Sequence, residues 1–513
     1  MKRDRWRWGA LLALVYGLWA VGRLVVTPAL EFDEAEQVLH RQALLPLYGA
    51  QPPLFEWLVA GLCGVLPLSA LQAVMVVKVA ALCTIGVGTA SVVEQLTHRP
   101  RAAAAAGWWA LTPALLLWDG PRTLTHSLLA TASVVGALAA GAPLLRGDAA
   151  AMRPTRWLAL GIAITAALMS KYNTAMAVGA CGLLALVAAR RSALAGSVGQ
   201  GRHTVMPWVR GLAWMAPGLV PLAWHASVVM RNWDTVQAPI AEKMLSGVAH
   251  GPWHGTVELV VAWIAHLGLP LALLWGLTRR WPCQMARAPV SASTLPPWGR
   301  YAFLYAAVVV SAMGAMVATG LLTDVRERWI MPLAAPLLAL LAAWAAPAIE
   351  RRSGVIQATA AALVITGLAL LLWRPWWLAQ HGTASPNRLP VREVAAWVDR
   401  LGPDDAVVVA RPIQLAGALA AYGQRGRRVL YRESAPPVWE GTRICAIVLV
   451  DAATPLANAE RLSALGFAPA GPVVRRVWPH RRLPDSGLAV EAQVWTTHQR
   501  PCPEGAAVYH QRP

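Results

Sequence analysis

Apolar positions along this chain come as long, nearly unbroken runs of about 15–25 residues, separated by short polar breaks. Such runs predict helices that cross a bilayer, because about 20 residues of helix match its hydrocarbon core. About eleven spans follow, near 9–27, 70–95, 102–118, 125–145, 156–170, 173–189, 208–229, 257–277, 301–321, 330–348 and 355–374. The stretch "PPLFEWLVAGLCGVLPLS" (52–69) is apolar enough to cross, but it is short and opens on two prolines. If it spanned, the "THRPR" loop and most later arginine clusters would change sides. Residues 32–69 are therefore expected to form interfacial helices within an outer loop, 28–69. From about Leu378 the pattern changes. "VREVAAWVDRLGPDDAVVVARP" reads as helix, loop and strand, and "RRVLYRES" and "RICAIVLVDA" read as strands. The expected fold class is thus a mainly α-helical polytopic membrane domain, 1–377, followed by a small C-terminal α/β domain, 378–513, of a size that can fold as a unit.

Composition agrees. Of 513 residues 57% are hydrophobic and 14% charged, against roughly 25% charged in soluble proteins, and mean hydropathy is +0.46. The net charge of +19 does not indicate nucleic acid. The arginines sit in short loops between apolar runs, and neither a zinc-ligand cysteine spacing nor a nucleic-acid-binding motif is present. Alternate loops hold Lys2/Arg3/Arg5/Arg7, Arg99/Arg101, Arg146/Arg153/Arg156, Arg190/Arg191/Arg202, Arg279/Arg280/Arg287 and Arg351/Arg352. The cation bias assigns these to the cytoplasm and suits anionic lipid headgroups. The C-terminal domain then lies outside. The first run follows "MKRDRWRW" without a small-residue cleavage site, so it is expected to stay as the first span. Cys445 and Cys502 fall in the outer domain, as a disulfide or as two thiols. Cys63, Cys83, Cys181 and Cys283 read as ordinary small residues in or near the membrane.

Four polar clusters fall on the outer side. In "FDEAEQ" Asp33, Glu34 and Glu36 follow the end of the first span. Asp33 with Glu36 fits a capping box, which leaves Glu34 over. Carboxylates at the edge of an apolar bundle also serve as general base, or as oxygen ligands of a divalent cation at Asp33 and Glu34. "SKYN" places Lys171 at the outer end of a span beside Tyr172 and Asn173, either snorkelling to headgroups or contacting phosphate. "DGPRTLTHSLLAT" sets Asp119, Arg122, Thr125 and His126 at a helix start, as cap and surface cation or as an anion site. "TDVRERWIMP" holds Arg326, Glu327 and Arg328, as an internal ion pair or as cations for a ligand. Acids and cations together at one leaflet suit group transfer from an anionic lipid-linked donor. The cations would stabilise a departing phosphate, and a carboxylate would take the proton of the acceptor hydroxyl.

"FDEAEQ", "YGAQPPLFEWL", "LTHSLLAT", "SKYN" and "RERWIMPL", in this order, resemble the bacterial family 39 glycosyltransferases of the GT-C superfamily, relatives of protein O-mannosyltransferases and of the lipid A aminoarabinose transferase. The resemblance covers roughly 5–375. It implies a multi-pass inner-membrane enzyme with a polyprenyl-phosphate-sugar donor, a lipid or protein acceptor on the periplasmic side, and inversion at the anomeric carbon. The catalytic acid of the first outer loop maps onto Asp33 first and Glu34 second. The aminoarabinose branch has a lysine directly before the paired prolines, where this chain has Gln51. Donor-phosphate contact therefore passes to Lys171, Arg122, Arg326 and Arg328, and substrate contact to His126, Tyr172, Asn173 and Gln51. The motifs look closer to lipopolysaccharide-modifying transferases, including some that add uronic acids. A flippase of a polyprenyl-linked glycan is the alternative; it would place ionisable residues at mid-bilayer and show two similar halves, whereas here polar residues gather at one surface and no internal repeat is visible. An assembly protein would leave the clustered charges of the membrane part without a task.

Overall fold

The structure, a computed structural model, describes residues 2–149, 152–195, 205–245, 253–278, 298–381, 390–431, 446–451, 467–480 and 483–497. Cys283, Cys445 and Cys502, with Arg202, Arg279, Arg280 and Arg287, lie outside the described residues. The chain divides into two compact units. The first comprises Met1–Leu18, Gly49–Leu54 and Lys78–Leu368, and the second Trp19–Tyr48, Phe55–Val77 and Ala369–Pro513.

The helices in chain order begin with α1 (Lys2–Val26), α2 (Phe32–His40), α3 (Leu54–Val65), α4 (Ala70–Thr97), α5 (Pro100–Trp109), α6 (Ala114–Arg122) and α7 (His126–Leu145). They continue with α8 (Pro154–Ser170), α9 (Thr174–Ala195), α10 (Val205–Arg231), α11 (Trp233–Leu245), α12 (His254–Thr278), α13 (Trp298–Ala318), α14 (Glu327–Arg351) and α15 (Ser353–Gln380). Nine described helices are long and apolar enough to cross a membrane, where the sequence pattern suggested eleven. The run 102–118 is the first difference. It breaks into α5 and α6 at Thr112–Pro113, because the proline ring drives the residue before it out of helical geometry. The run 156–170 is the second. It forms α8, whose 17 residues reach only about 26 Å, short of the ~30 Å core. Within the segment 52–69, α3 has 12 residues, about 18 Å of helix and too short to cross the core. The segment keeps Val65 and Leu66 exposed while burying Phe55, Glu56 and Val59.

Within the first unit α14 is the centre. Of its most apolar window 83% is buried, against 17% for the α10 window, which leaves its apolar side chains to lipid. Small side chains let such helices approach closely. Gly161 of α8 and Gly218 of α10 face each other's backbone. A Cβ on Gly161 would stand 2.4 Å from the Met215 carbonyl oxygen, and one on Gly218 would stand 2.6 Å from the Ile162 nitrogen.

The second unit carries the α/β part. Helices α16 (Val391–Val398) and α17 (Ile413–Tyr422) accompany strands β1 (Val407–Arg411), β2 (Val429–Tyr431), β3 (Ala446–Asp451), β4 (Phe467–Pro469), β5 (Val474–His480) and β6 (Leu483–Thr497). The strand order is β2-β1-β3-β6-β4, with β5 also on β6. β1 runs parallel to β2 and β3, and its buried Val407–Ala410 run is the signature of a strand covered on both faces. β6 pairs antiparallel with β3, β4 and β5.

The same unit includes the acid-bearing helix α2. Ala35 of α2 lies against Gly417 of α17, where an added Cβ would come within 2.6 Å of the Ala35 Cβ. Only glycine leaves room for that approach. The Tyr422 hydroxyl donates to the Pro28 carbonyl at 2.6 Å. The Gln42 side-chain amide pairs with both backbone groups of Val429, each at 2.9 Å, as a neighbouring strand residue would.

Candidate functional site

Two groups of polar residues carry the candidate chemistry, one in each unit. In the first unit the short segment between α8 and α9 bears Lys171, Tyr172 and Asn173. The Lys171 ammonium donates to Ser127 Oγ at 2.7 Å and to the Arg328 carbonyl at 3.1 Å. Asn173 Nδ2 donates to the Trp329 carbonyl at 2.8 Å. Three separate sequence motifs, "LTHS", "SKYN" and "RERW", thus converge on one spot. Both acceptors of the lysine are neutral, a hydroxyl and a backbone carbonyl. Asn173 Oδ1 is buried with no hydrogen-bond partner, an acceptor that burial makes costly to leave open. The Tyr172 ring stacks on His225 with centroids 6.0 Å apart, its hydroxyl 3.2 Å from His225 Nε2, and burial pushes the phenol up to about 12.

The neighbouring loops of this unit are tied down by backbone bonds. Thr323 and Asp324 donate their N–H groups to the Met244 carbonyl at 2.8 and 3.2 Å, and Val325 N–H donates to Glu258 at 2.6 Å. Glu258 also pairs with His254 at 3.0 Å. Arg326 is fixed by Asp324 at 3.2 Å, so the carboxylate nearest this cation is Asp324 and not the expected Glu327, which is exposed. Arg122 pairs with Asp119, three residues earlier on α6. Thr125 stands at the N-cap of α7 but makes no side-chain cap bond; its hydroxyl is buried without a partner. His126, the first residue of α7, is also buried. Gln51 lies half-buried in the Gly49–Leu54 segment.

Sequence reasoning missed Lys78, a lone lysine in the apolar run of α4. It is fully buried, and its ammonium donates to the Arg122 carbonyl at 2.9 Å and the Pro121 carbonyl at 3.3 Å. It therefore holds the last carbonyls of α6 beneath Arg122, a position where a cation suits a helix C-terminus. A single ionisable residue inside an otherwise apolar span was the available signal.

In the second unit the acidic helix is capped differently from the expectation. Glu31, not Asp33, is the N-cap of α2, and Glu34, not Glu36, closes it: Glu34 Oε2 accepts the Glu31 backbone N–H at 3.0 Å. The same carboxylate oxygen is 3.0 Å from Arg23 Nη2, and Glu34 is fully buried. Arg23 also donates to the carbonyls of Thr27 at 2.5 Å and Ala29 at 2.7 Å. Glu34, the residue left over by the expected box, is thus the structural one. Its position at the third helical residue, with a cation at the end of the first span, satisfies a carboxylate that burial would otherwise penalise. Glu31 in turn is 3.4 Å from Arg374. Asp33 and Glu36 stay half-buried on α2.

The C-terminal end of α2 holds another pair that sequence reasoning missed. Buried Glu56 of α3 lies 3.2 Å from His40 Nδ1, and the His40 ring stacks on Tyr48 at 4.8 Å. Tyr48 donates to the Ala43 carbonyl at 2.5 Å and accepts from Leu45 N–H at 3.0 Å. Burial, reinforced by the Glu56 charge, pushes its phenol up to about 12. Among the described residues no three His, Cys, Asp or Glu side chains converge as a metal site.

No family model matches the chain. It is 29% identical over 335 residues to the lipopolysaccharide core galacturonosyltransferase RgtA of Rhizobium johnstonii, covering 63% of this chain and 61% of that protein. To the galacturonosyltransferase RgtB of the same organism it is 27% identical over 343 residues, covering 63% and 62%. The chain thus matches about three fifths of each relative. The fold is similar to that of ArnT from Cupriavidus metallidurans in a crystal structure bound to undecaprenyl phosphate, with a TM-score of 0.55 at 14% identity over 94% of this chain and 98% of that one. The apo form of the same protein gives a TM-score of 0.52. The nine candidate spans, the helical bundle around α14 and the small C-terminal sheet therefore make this chain a multi-pass membrane protein with an ArnT-like fold, similar in sequence to lipopolysaccharide core galacturonosyltransferases.

Proposed function

We propose that the protein is an inverting glycosyltransferase that moves a sugar from a polyprenyl-phosphate donor to a glycolipid acceptor of the lipopolysaccharide type. The observation that carries this is the Lys171 cluster, where three motifs converge on one lysine beside the unpartnered Asn173 Oδ1. Relatives that act on lipopolysaccharide core, and a fold neighbour bound to undecaprenyl phosphate, support the donor and acceptor classes. The cation bias of the loops supports a cytoplasmic N terminus, with the candidate residues and C-terminal domain in the periplasm.

Each step falls to the residues that the sequence motifs single out for it. Asp33 takes the proton of the acceptor hydroxyl. The oxygen attacks the anomeric carbon, the bond from that carbon to the phosphate oxygen breaks, and the electron pair leaves with the polyprenyl phosphate. A single displacement inverts the carbon. Lys171, Arg122, Arg326 and Arg328 hold the phosphate and the charge it gains, while His126, Tyr172, Asn173 and Gln51 contact substrate. Glu34, locked to Arg23, keeps α2 in place rather than acting as a second base. No step is routed through a metal ion.

The test is transfer itself. Purified protein is incubated with radiolabelled polyprenyl-phosphate sugars, with and without a lipopolysaccharide-core glycolipid. Acceptor-dependent appearance of label in the glycolipid supports the reading. Movement of labelled lipid across vesicles with no transfer from any donor would replace it with the flippase.

A further inference from the structure

The second unit encloses a cavity of about 140 Å³ between the C-terminal end of α2, helices α16 and α17, and the start of β2. Gln42, clamped on the Val429 backbone, closes one wall. Two arginines line it. Arg41, the C-cap of α2, is half-buried; its Nε is fully buried with no hydrogen-bond partner, and its guanidinium pairs with no described residue. Arg427 is held by backbone carbonyls: Leu401 at 2.7 Å, Gly402 at 3.0 Å and Val398 at 3.2 Å. These bonds occupy its two terminal nitrogens and fix its plane, and its Nε is likewise buried without a partner. Burial first, and the nearby Arg425, lower its affinity for its proton from the ordinary arginine value. The single acid of the wall, Asp399, accepts the Gln424 backbone N–H at 2.7 Å.

The wall thus carries two guanidinium groups against one carboxylate, and the Arg41 group has no acceptor among the described residues. The α2 C-terminus presents carbonyls, so it adds nothing for an anion, and attraction must come from the guanidinium groups. Size narrows the ligand. At about 30 Å³ per water the space holds a few waters or one oxyanion, well below the ~300–1,000 Å³ of a drug-sized site. We propose that this cavity binds a single phosphate or carboxylate group through the Arg41 guanidinium, with the fixed charge of Arg427 beside it. The group is either a free anion or a charged substituent of the acceptor glycolipid, the latter source resting on the proposed function. Because Arg41 terminates the helix that carries Asp33, occupancy fixes the far end of that helix.

The experiment uses the full chain in detergent and follows thermal unfolding against inorganic phosphate, with chloride at matched ionic strength as control. Wild type is expected to show a saturable rise in Tm. Arg41→Gln should keep the Tm seen without phosphate and lose affinity about tenfold or more. Arg41→Lys, which retains the charge but not the planar fork of donors, should also weaken binding. Lys171→Gln should titrate like wild type, which separates this cavity from a donor-phosphate site. A second arm repeats the titration in nanodiscs with phosphorylated or neutral glycolipid. Competition that vanishes in Arg41→Gln identifies the headgroup as ligand, and its absence identifies the free anion. Identical titrations of wild type and Arg41→Gln, or no saturable shift beyond chloride, would overturn the inference by leaving water as the occupant. Binding does not require transfer, so phosphate binding without transferase activity would overturn only the enzymatic reading.

Discussion

Each unit fixes a buried charge, by different means. In the second, Glu34 and Arg23 neutralise each other in a fully buried pair that also caps α2. In the first, Lys171 is positioned by a hydroxyl and a backbone carbonyl, and Lys78 by two backbone carbonyls. A buried pair of opposite charges is scaffolding: removing one partner is costly, yet replacing both is often neutral. A lysine held by a hydroxyl or backbone carbonyls is instead fixed in direction by them. Residue type alone does not show this: of two adjacent acids, Glu34 caps α2 and pairs with Arg23 while Asp33 stays half-buried.

That contrast breaks most visibly at Arg23. Arg23→Met should destabilise the second unit by about 3–5 kcal/mol by stranding Glu34, whereas Arg23→Met with Glu34→Met should recover most of the loss. Denaturant unfolding of the detergent-solubilised protein measures both, and equal instability of single and double variants would remove the scaffolding role. At Lys171 the effect belongs on ligand binding. Lys171→Met should weaken donor use roughly 10–100-fold in kcat/KM, with Tm close to wild type. A loss of stability without a change in kcat/KM would make it structural instead. The α2–α17 contact should be smaller: Gly417→Leu forces the helices apart against Ala35, for about 1–3 kcal/mol of overpacking, read as a lowered Tm.

The smallest effect concerns pH. Burial raises the Tyr48 phenol to about 12 from the usual 10.0. The folded form holds the proton more tightly, so this stabilisation is complete below about pH 10 and lost as pH rises through about 12. Tyr48→Phe should flatten that part of the stability profile relative to wild type. Parallel profiles would contradict it.

Most of the fold was legible because bilayer-length apolar runs are an unambiguous pattern, and nine of them reappear as candidate spans. Pro113 marked the break that run length alone concealed, and α8 fell short of a full span. The site was legible as four motifs, but not in its wiring. Asp33 looks like the natural cap because aspartate is a preferred N-cap residue and glutamate is not. The structure instead caps α2 from Glu34, because Arg23, eleven residues earlier and silent in the local pattern, neutralises that carboxylate. Glu56 and Lys78 were similarly hidden, each a single charge whose partner lies on another helix.

The proposed function turns on Asp33 acting in chemistry while its neighbour Glu34 holds the helix. The most direct measurement is the single-turnover rate of sugar transfer by Asp33→Asn, with Tm and donor affinity recorded on the same preparation. The account predicts a rate loss on the order of 10²-fold or more with both other quantities unchanged. Transfer at the wild-type rate would contradict it.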